Sequence, residues 1–267
     1  MTEPTTTEPT RIRATAIKAG RLSMAHMRQA MQGEREDTAA MRWGRLIHMA
    51  ILEPLKLAEM PQWGGARRAG KEWEAFVAAV GAGDYLMPGE LPELAAITTS
   101  TRFALATMPA MVETERRVDW TGDRYGAATA RIDGLLKGGG FIEVKSCRNI
   151  EKRAFLSQCY SLGYHLQLGW YNHGLAAIGL GGQVRVLAVE SAAPYTCACY
   201  TVPPAILAQG YEEAAEIAAQ YRACEAFGTF AGPYDDVTLQ YEFPAWAGGK
   251  AEEVEIGTGE EGKASEL

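Results

Sequence analysis

The chain has 267 residues, 47% of them hydrophobic, and a formal net charge of −7. This length and apolar content allow one large domain or two small ones with a full core, and the negative charge excludes a protein that coats nucleic acid with its whole surface. No run of eighteen apolar residues predicts a membrane span, and the polar first residues do not resemble a secretory signal. We therefore expect a soluble, cytoplasmic protein.

The five cysteines include no CxxC pair and no regular spacing. A zinc site or an iron–sulfur cluster would require such a pattern, so neither is expected. Reduced, mostly buried thiols fit a cytoplasmic protein.

Basic residues gather in four groups although the chain is acidic overall. The groups are Arg11, Arg13, Lys18 and Arg21; Arg42 and Arg45; Arg67, Arg68 and Lys71; and Arg148, Lys152 and Arg153. Each group could be ordinary solvated surface, or the groups together could bind phosphates at one place. Acidic residues concentrate in residues 248–267, which we predict to be a disordered tail. We predict that residues 1–10 are disordered as well and that residues 11–247 form one domain.

Helices are predicted first along the N-terminal half. Ser23 is a suitable N-cap for a short helix over residues 23–33. From Thr38, apolar residues recur at helical spacing until Pro54, which ends a second helix. His48 lies at the edge of that apolar stripe, where it could face a cleft between helix and sheet or be an ordinary structural histidine. Further helices are predicted over residues 71–80 and 90–107, with a short extended segment at residues 85–87.

Three strands follow, and they carry the candidate chemistry. Residues 112–120 are predicted to form a charged strand, in which Glu113 and Glu115 share a face, so either could contribute to a metal cleft or be ordinary surface. Residues 127–136 and 141–146 are predicted to form an antiparallel hairpin around a glycine-rich turn. Asp133 then lies beside Glu143, and Lys145 shares a face with Glu143 because strand side chains alternate. Two carboxylates and one ammonium are typical of a Mg²⁺ site, although such charges also occur on solvated sheet faces.

The C-terminal half is predicted to alternate helices and strands. One helix covers residues 150–175, with Gln167 and Tyr171 on the same side. Strands over residues 183–190 and 196–202 precede a long helix over residues 203–227. Residues 241–246 are predicted to be a final docked segment.

Taken together, the motifs resemble the RecB-like branch of the PD-(D/E)xK nuclease superfamily, and within it the phage and prophage RecE-type exonucleases that carry the PD-(D/E)xK-like domain of exodeoxyribonuclease VIII. The motifs are residues 44–48 (GRLIH) with 52–54 (LEP), residues 131–133 (RID), residues 143–145 (EVK), and the pair Gln167 and Tyr171. Ile132 stands where the superfamily is named for proline. The resemblance implies an α/β (α+β) fold, a restriction-endonuclease-like αβββαβ core with a mixed central sheet flanked by helices.

The resemblance also implies a function. It is Mg²⁺-dependent (or Mn²⁺-dependent) digestion of linear double-stranded DNA, 5′ to 3′, which leaves 3′ overhangs for phage-type recombination and repair. The implied partners are DNA ends, a single-strand annealing protein of the RecT/Bet type, and further copies of the chain in a trimeric or tetrameric ring. Relatives that bear an iron–sulfur cluster use four flanking cysteines, and this chain has none at comparable positions. An endonuclease or resolvase on the same core, or a non-catalytic DNA-end-binding protein, are the alternatives.

The roles of individual residues follow from the same resemblance. Asp133, Glu143, His48 and the Val144 carbonyl would bind the metal, and Lys145 would orient the attacking water. Further candidates for contact with the substrate are Gln167, Tyr171, Glu115, Arg42, Arg45, Arg148 and Lys152, together with Arg67, Arg68 and Arg153. Gln167 and Tyr171 would either brace the cleft or contact the DNA backbone.

Overall fold

The structure is a computed structural model that describes residues 10–33, 37–81, 83–235 and 237–238. The chain divides into two units, Met1–Pro233 and Tyr234–Leu267. The strands and helices of the described residues belong to the first unit. The predicted docked segment at residues 241–246, the predicted acidic tail and all but Thr10 of the predicted disordered N-terminus lie outside the described residues.

One sheet organises the first unit. Its strands within the described residues are β1 (Ile12–Arg13), β2 (Met111–Gly122), β3 (Gly126–Leu136), β4 (Phe141–Cys147), β5 (Val184–Glu190) and β6 (Cys197–Thr201). Their order is β1-β3-β4-β5-β6, and β2 pairs with β3 as well. The pairs β1–β3 and β4–β5 are parallel and the others antiparallel, so the sheet is mixed, as predicted.

The helices lie before, between and after these strands. They are α1 (Ala14–Gly20), α2 (Met24–Gln32), α3 (Ala39–Leu52), α4 (Pro54–Ala58), α5 (Lys71–Val80), α6 (Glu90–Ala106), α7 (Lys152–Ser161), α8 (Tyr164–Ala177) and α9 (Pro204–Phe227). The predicted N-cap Ser23 is confirmed, because its side chain accepts the backbone N–H of His26. Thr38 caps α3 in the same way, by accepting the backbone N–H of Met41. Pro54 ends α3 as predicted and at once begins α4, where its missing N–H costs no hydrogen bond.

Two hydrophobic cores cover the two faces of the sheet. Phe141 and Cys147 of β4 belong to a core shared with α1, α2, α8 and α9. Ile142 and Val144 alternate with them and pack into a second core with α3 and α6. Helices therefore flank the sheet on both faces, and the predicted fold class is confirmed. Among the described residues, no helix is both long enough and apolar enough to cross a membrane.

One predicted helix was wrong in its extent. The helix expected over residues 150–175 is two helices, because Gly163 adopts a left-handed backbone conformation with φ of 65° that ends α7 and precedes α8. Glycine adopts this conformation without the steric cost that a Cβ imposes. The sequence also did not predict β1 and α1. Both are short, and β1 exists through its pairing with Ala128 and Thr129 of β3 rather than through a local pattern.

Candidate active site

Asp133 and Glu143 lie where β3 and β4 diverge. In the hairpin, β3 pairs with β4 only at Gly134–Ile142 and Leu135–Phe141. Nearer its start, at Ala128 and Thr129, β3 pairs with β1 instead of β4. The gap between the strands is the fork of the sheet. There the backbone N–H of Val144 donates to Asp133 Oδ2 at 2.8 Å. Asp133 is 7% exposed and Glu143 is 1% exposed, so the two predicted carboxylates meet in a buried position.

His48 reaches the fork from α3, on the opposite side of the sheet from α8. Its Nδ1 lies 3.5 Å from Asp133 Oδ2. Burial lowers the pKa of His48, and the positive charge of Lys145 lowers it further. The imidazole is therefore neutral near pH 7, which is the form that binds metal ions. The prediction that His48 faces a cleft between helix and sheet is confirmed.

Glu115 joins the fork from β2. Thr114 pairs with Gly134 and Arg116 with Ile132, so Glu115 lies across from Asp133. Its φ of 53° is left-handed, and a non-glycine residue held in this conformation is often part of a functional site. One ligand atom each from His48, Glu115 and Asp133 lie within 4.8 Å of one another.

The structure thus places Glu115 among the possible metal ligands, a role that the sequence left open beside substrate contact. Glu113, the other glutamate considered for this cleft, is outside the cluster and forms an exposed ion pair with Arg116 at 2.6 Å. The carboxylate of Glu115 also pairs with the exposed Arg131 at 2.6 Å.

Glu143 and Lys145 form the floor of the fork. Lys145 Nζ lies 2.7 Å from Glu143 Oε1, while Glu143 Oε2 is buried and accepts no hydrogen bond from the described residues. Burial raises the pKa of Glu143 to about 7, with the charge of Asp133 acting in the same direction. Burial likewise raises the pKa of Asp133 to about 6. Burial disfavours the Lys145 ammonium too, but the two carboxylates outweigh it and raise the pKa of Lys145, which is therefore charged.

These groups fit a divalent cation. Carboxylate oxygens and a neutral imidazole are the ligands of Mg²⁺ and Mn²⁺, and the buried Glu143 Oε2 accepts no hydrogen bond from the part of the chain that the structure describes. The N–H and C=O of a strand residue point to the same edge of the strand, so the Val144 carbonyl faces the fork together with its N–H. Its role as a ligand stays a prediction.

Gln167 and Tyr171 support the site from α8. Gln167 is 7% exposed, and its Nε2 donates to Glu143 Oε1 at 2.5 Å. Its Oε1 accepts from Lys145 at 3.3 Å. Burial raises the pKa of Tyr171, and the charges of Glu143 and Asp133 raise it further, so the phenol is neutral. These contacts agree with the bracing role. Contact of either side chain with DNA stays a prediction.

The sequence did not indicate two other side chains at the site. Lys18 of α1 donates to Gln167 Oε1 at 3.0 Å, and the ring of Tyr164 lies below both ammonium groups, 5.5 Å from Lys18 Nζ and 4.8 Å from Lys145 Nζ. The only sequence signal for Lys18 was its place in a basic group, and α1 itself was not predicted.

Arg42 and Arg45, which were predicted to contact phosphates, have carboxylate partners. Arg42 forms two hydrogen bonds with Glu90, at 2.7 and 2.9 Å, and covers the ring of Tyr85. Arg45 binds Asp37 and Asp84 at 2.7–2.8 Å. A phosphate would have to compete with these carboxylates for either arginine. Arg148 and Lys152 are exposed near the end of β4 and the start of α7.

An arginine-lined cavity adjoins the fork. It has a volume of about 740 Å³ and is lined by Arg11, Arg13, Arg117 and Arg131 beside Glu115 and Tyr171. A second cavity of about 830 Å³ shares Arg13 with the first and extends to Lys18 and Tyr164. Both cavities are lined by residues around the start of α1, including Arg13 and Thr15, and Glu115 of the fork lines the first. We refer to the two cavities together as the arginine-lined groove.

Comparison with known proteins assigns the family. The sequence profile described as "PDDEXK-like domain of unknown function (DUF3799)" matches residues 14–231. The chain belongs to this PDDEXK-like family. The predicted superfamily is therefore confirmed. No curated protein sequence matches the chain.

Several solved structures are similar to the chain. A presumed exonuclease from Eubacterium rectale is similar with a TM-score of 0.62 and 9% identity, over 88% of this chain and 91% of that one. An alkaline exonuclease from Laribacter hongkongensis (LHK-Exo) has a TM-score of 0.40 and 16% identity, over 82% and 91% of the two chains. A phage-related exonuclease from Haemophilus somnus has a TM-score of 0.38 and 12% identity, over 82% and 96%. At 9% identity the likeness to the Eubacterium rectale protein shows a shared fold and no more.

Proposed function

We propose that the protein is a metal-dependent exonuclease that hydrolyses phosphodiester bonds of linear double-stranded DNA. The observation that carries the proposal is the fork, where two buried carboxylates with raised pKa values meet a charged lysine, and one carboxylate oxygen has no partner among the described residues. Buried carboxylates of this kind are stable only when protonated or when a cation compensates them. A divalent cation held by Asp133, Glu143, His48 and Glu115 provides that compensation.

Each residue then has a chemical task. When bound, a divalent cation supplies charge that polarises the scissile phosphate and favours deprotonation of a nearby water. Lys145 keeps its ammonium beside Glu143, where it orients the attacking water and offsets the negative charge that develops on the phosphoryl oxygens. Gln167 holds Glu143 Oε1, so that Oε2 is left for the cation. The oxygen-rich ligand set suits Mg²⁺, and the imidazole of His48 suits Mn²⁺.

The arginine-lined groove supports a polyanionic substrate. Backbone phosphates bound there would be held without readout of sequence. Arg131 pairs with Glu115 at 2.6 Å and Arg117 with Asp119 at 3.1 Å, so a phosphate must displace or share these ion pairs. Binding to the groove is therefore expected to weaken steeply as salt concentration rises.

The finer features of the proposal rest on the RecE-type resemblance. They are 5′-to-3′ polarity, 3′ single-stranded overhangs that serve recombination by strand annealing, a RecT/Bet-type annealing partner, and a trimeric or tetrameric ring. A ring would enclose the product strand and so explain processive digestion.

End-labelled DNA tests the function and its polarity together. Linear duplex carrying a label at the 5′ end or at the 3′ end is incubated with Mg²⁺ and either the wild type or Lys145→Met. The wild type is expected to release the 5′ label first as a short product and to leave covalently closed circular DNA intact, whereas the variant releases none. Cleavage of closed circles would favour an endonuclease or resolvase. Binding of DNA ends without any cleavage would favour a non-catalytic end-binding protein.

A further inference from the structure

Lys18 and Lys145 converge on one amide oxygen. Lys18 Nζ lies 3.0 Å from Gln167 Oε1, and Lys145 Nζ lies 3.3 Å from the same atom. Both ammonium groups also cover the ring of Tyr164. Lys18 belongs to α1, 149 positions before Gln167 in the sequence. The site therefore contains a second lysine, which has no part in the proposed metal binding or chemistry.

The two lysines fix the orientation of the Gln167 amide. Its oxygen faces the ammonium groups, and its Nε2 donates to Glu143 Oε1 at 2.5 Å. A flipped amide would turn its NH₂ group toward two cations and its oxygen toward a carboxylate, and both contacts would be repulsive. Hydrogen bonds with a charged partner contribute about twice as much as neutral ones, so the preference is strong.

Each of the two lysines has a different nearest acceptor. Lys18 is the closer donor to Gln167, at 3.0 Å against 3.3 Å, whereas Lys145 lies closest to Glu143, at 2.7 Å. If Lys18 were removed, only Lys145 of these two lysines could donate to Gln167 Oε1. The Lys145 ammonium would then be drawn toward that oxygen and away from Glu143.

We propose that Lys18 is a positioning residue for the cation site. By holding the Gln167 amide, it keeps Glu143 Oε2 free for the cation and keeps Lys145 beside Glu143. This role rests on the proposed metal-dependent function but is tested separately from it, because cation binding can be measured without DNA.

Mn²⁺ binding to the DNA-free protein, followed by electron paramagnetic resonance, is the first test. Lys18→Met and Lys18→Gln remove the charge, Lys18→Arg keeps a charged donor, and Lys137→Met removes a lysine from the exposed turn between β3 and β4. We expect Lys18→Met and Lys18→Gln to weaken Mn²⁺ affinity about tenfold, the usual scale for groups that orient metal ligands. The Mn²⁺ affinities of Lys18→Arg and Lys137→Met should stay within about twofold of the wild-type affinity.

The direction of the change is decisive. Removal of a positive charge near a cation would by itself tighten cation binding, so weaker binding identifies a positioning role. Unchanged or tighter Mn²⁺ binding in a folded Lys18→Met or Lys18→Gln variant overturns the proposal.

A double-mutant cycle tests the route through Gln167. In a Gln167→Met background, Lys18→Met is expected to cause no further loss of Mn²⁺ affinity, whereas additive losses would show that Lys18 does not act through Gln167.

In cleavage assays with the intact protein, Lys18→Met should lower kcat and leave KM for DNA unchanged. A loss confined to KM would make Lys18 a phosphate contact instead. If the wild type binds Mn²⁺ but cleaves no linear DNA, the proposed function fails while the binding tests still decide the role of Lys18.

Discussion

Replacement of Glu143 by glutamine is expected to stabilise the metal-free protein at high pH while it abolishes cleavage. The pKa of Glu143 rises from 4.5 to about 7, first through burial and then through the charge of Asp133. A tenfold change in proton affinity corresponds to about 1.4 kcal/mol, so an ionised Glu143 costs the folded state about 3 kcal/mol at pH 8. The amide carries no charge and avoids this cost, although it also weakens the ion pair with Lys145, so 3 kcal/mol is the upper limit.

The pH dependence follows from the direction of the shift. An acid with a higher pKa in the folded state binds more protons there, so the free energy of unfolding falls as pH rises from 4.5 to 7 and is then constant. Asp133, with its pKa raised to about 6, adds a decline over a lower range in both proteins. Between pH 5 and pH 8 the stability of Glu143→Gln relative to the wild type should therefore rise by about 2 kcal/mol.

Urea unfolding in EDTA, followed by circular dichroism at pH 5 and pH 8, measures this difference. Glu113→Gln is the matched control, because Glu113 is exposed and outside the cluster. Addition of Mg²⁺ at pH 8 should raise the free energy of unfolding of the wild type and of the control but not that of Glu143→Gln. Identical pH dependence in the wild type and Glu143→Gln, or equal stabilisation of both by Mg²⁺, would refute the account of the buried carboxylates.

Three further changes test other parts of the structure. Lys145→Met should lower the cleavage rate at least about a thousandfold, on the scale of an electrostatic group at the transition state, with an unchanged circular dichroism spectrum; substantial residual cleavage would contradict its role. Glu115→Gln should weaken Mn²⁺ binding about tenfold, measured by calorimetry against Glu113→Gln, and equal effects of the two would remove Glu115 from the ligand set. Gly169→Ala should destabilise the fold by about 1–3 kcal/mol, because a Cβ there would lie 2.3 Å from the Tyr211 backbone nitrogen, whereas Gly64→Ala, with nothing within 4 Å, should leave the thermal midpoint unchanged.

The sequence predicted those parts of the site that local pattern determines. Glu143 and Lys145 follow from strand alternation, and His48 follows from its place at the edge of a helical stripe. A glycine-rich turn indicated that Asp133 would lie near Glu143, and the structure confirms this nearness. What the turn did not predict is that the strands separate at these residues, because the divergence depends on β1 pairing beside β3.

The remaining parts depend on contacts between distant segments. Glu115 lies across from Asp133 through the pairing of β2 with β3, and the strand pattern shows neither this register nor the left-handed backbone at Glu115. Lys18 lies 149 positions before Gln167, and α1 is too short for a clear helical pattern. The break at Gly163 was missed because a single glycine within an apolar helical pattern does not by itself end a helix. Arg42 and Arg45 resembled phosphate contacts until their carboxylate partners on other segments were seen.

The central claim is that the fork between β3 and β4 holds a catalytic divalent cation. Crystals of the protein soaked in Mn²⁺, with diffraction recorded at the manganese absorption edge, test it most directly. We expect an anomalous peak in the fork, within coordination distance of Asp133 and of Glu143 Oε2. A protein that cleaves DNA in Mn²⁺ but shows its anomalous peak elsewhere, or none in the fork, would contradict it.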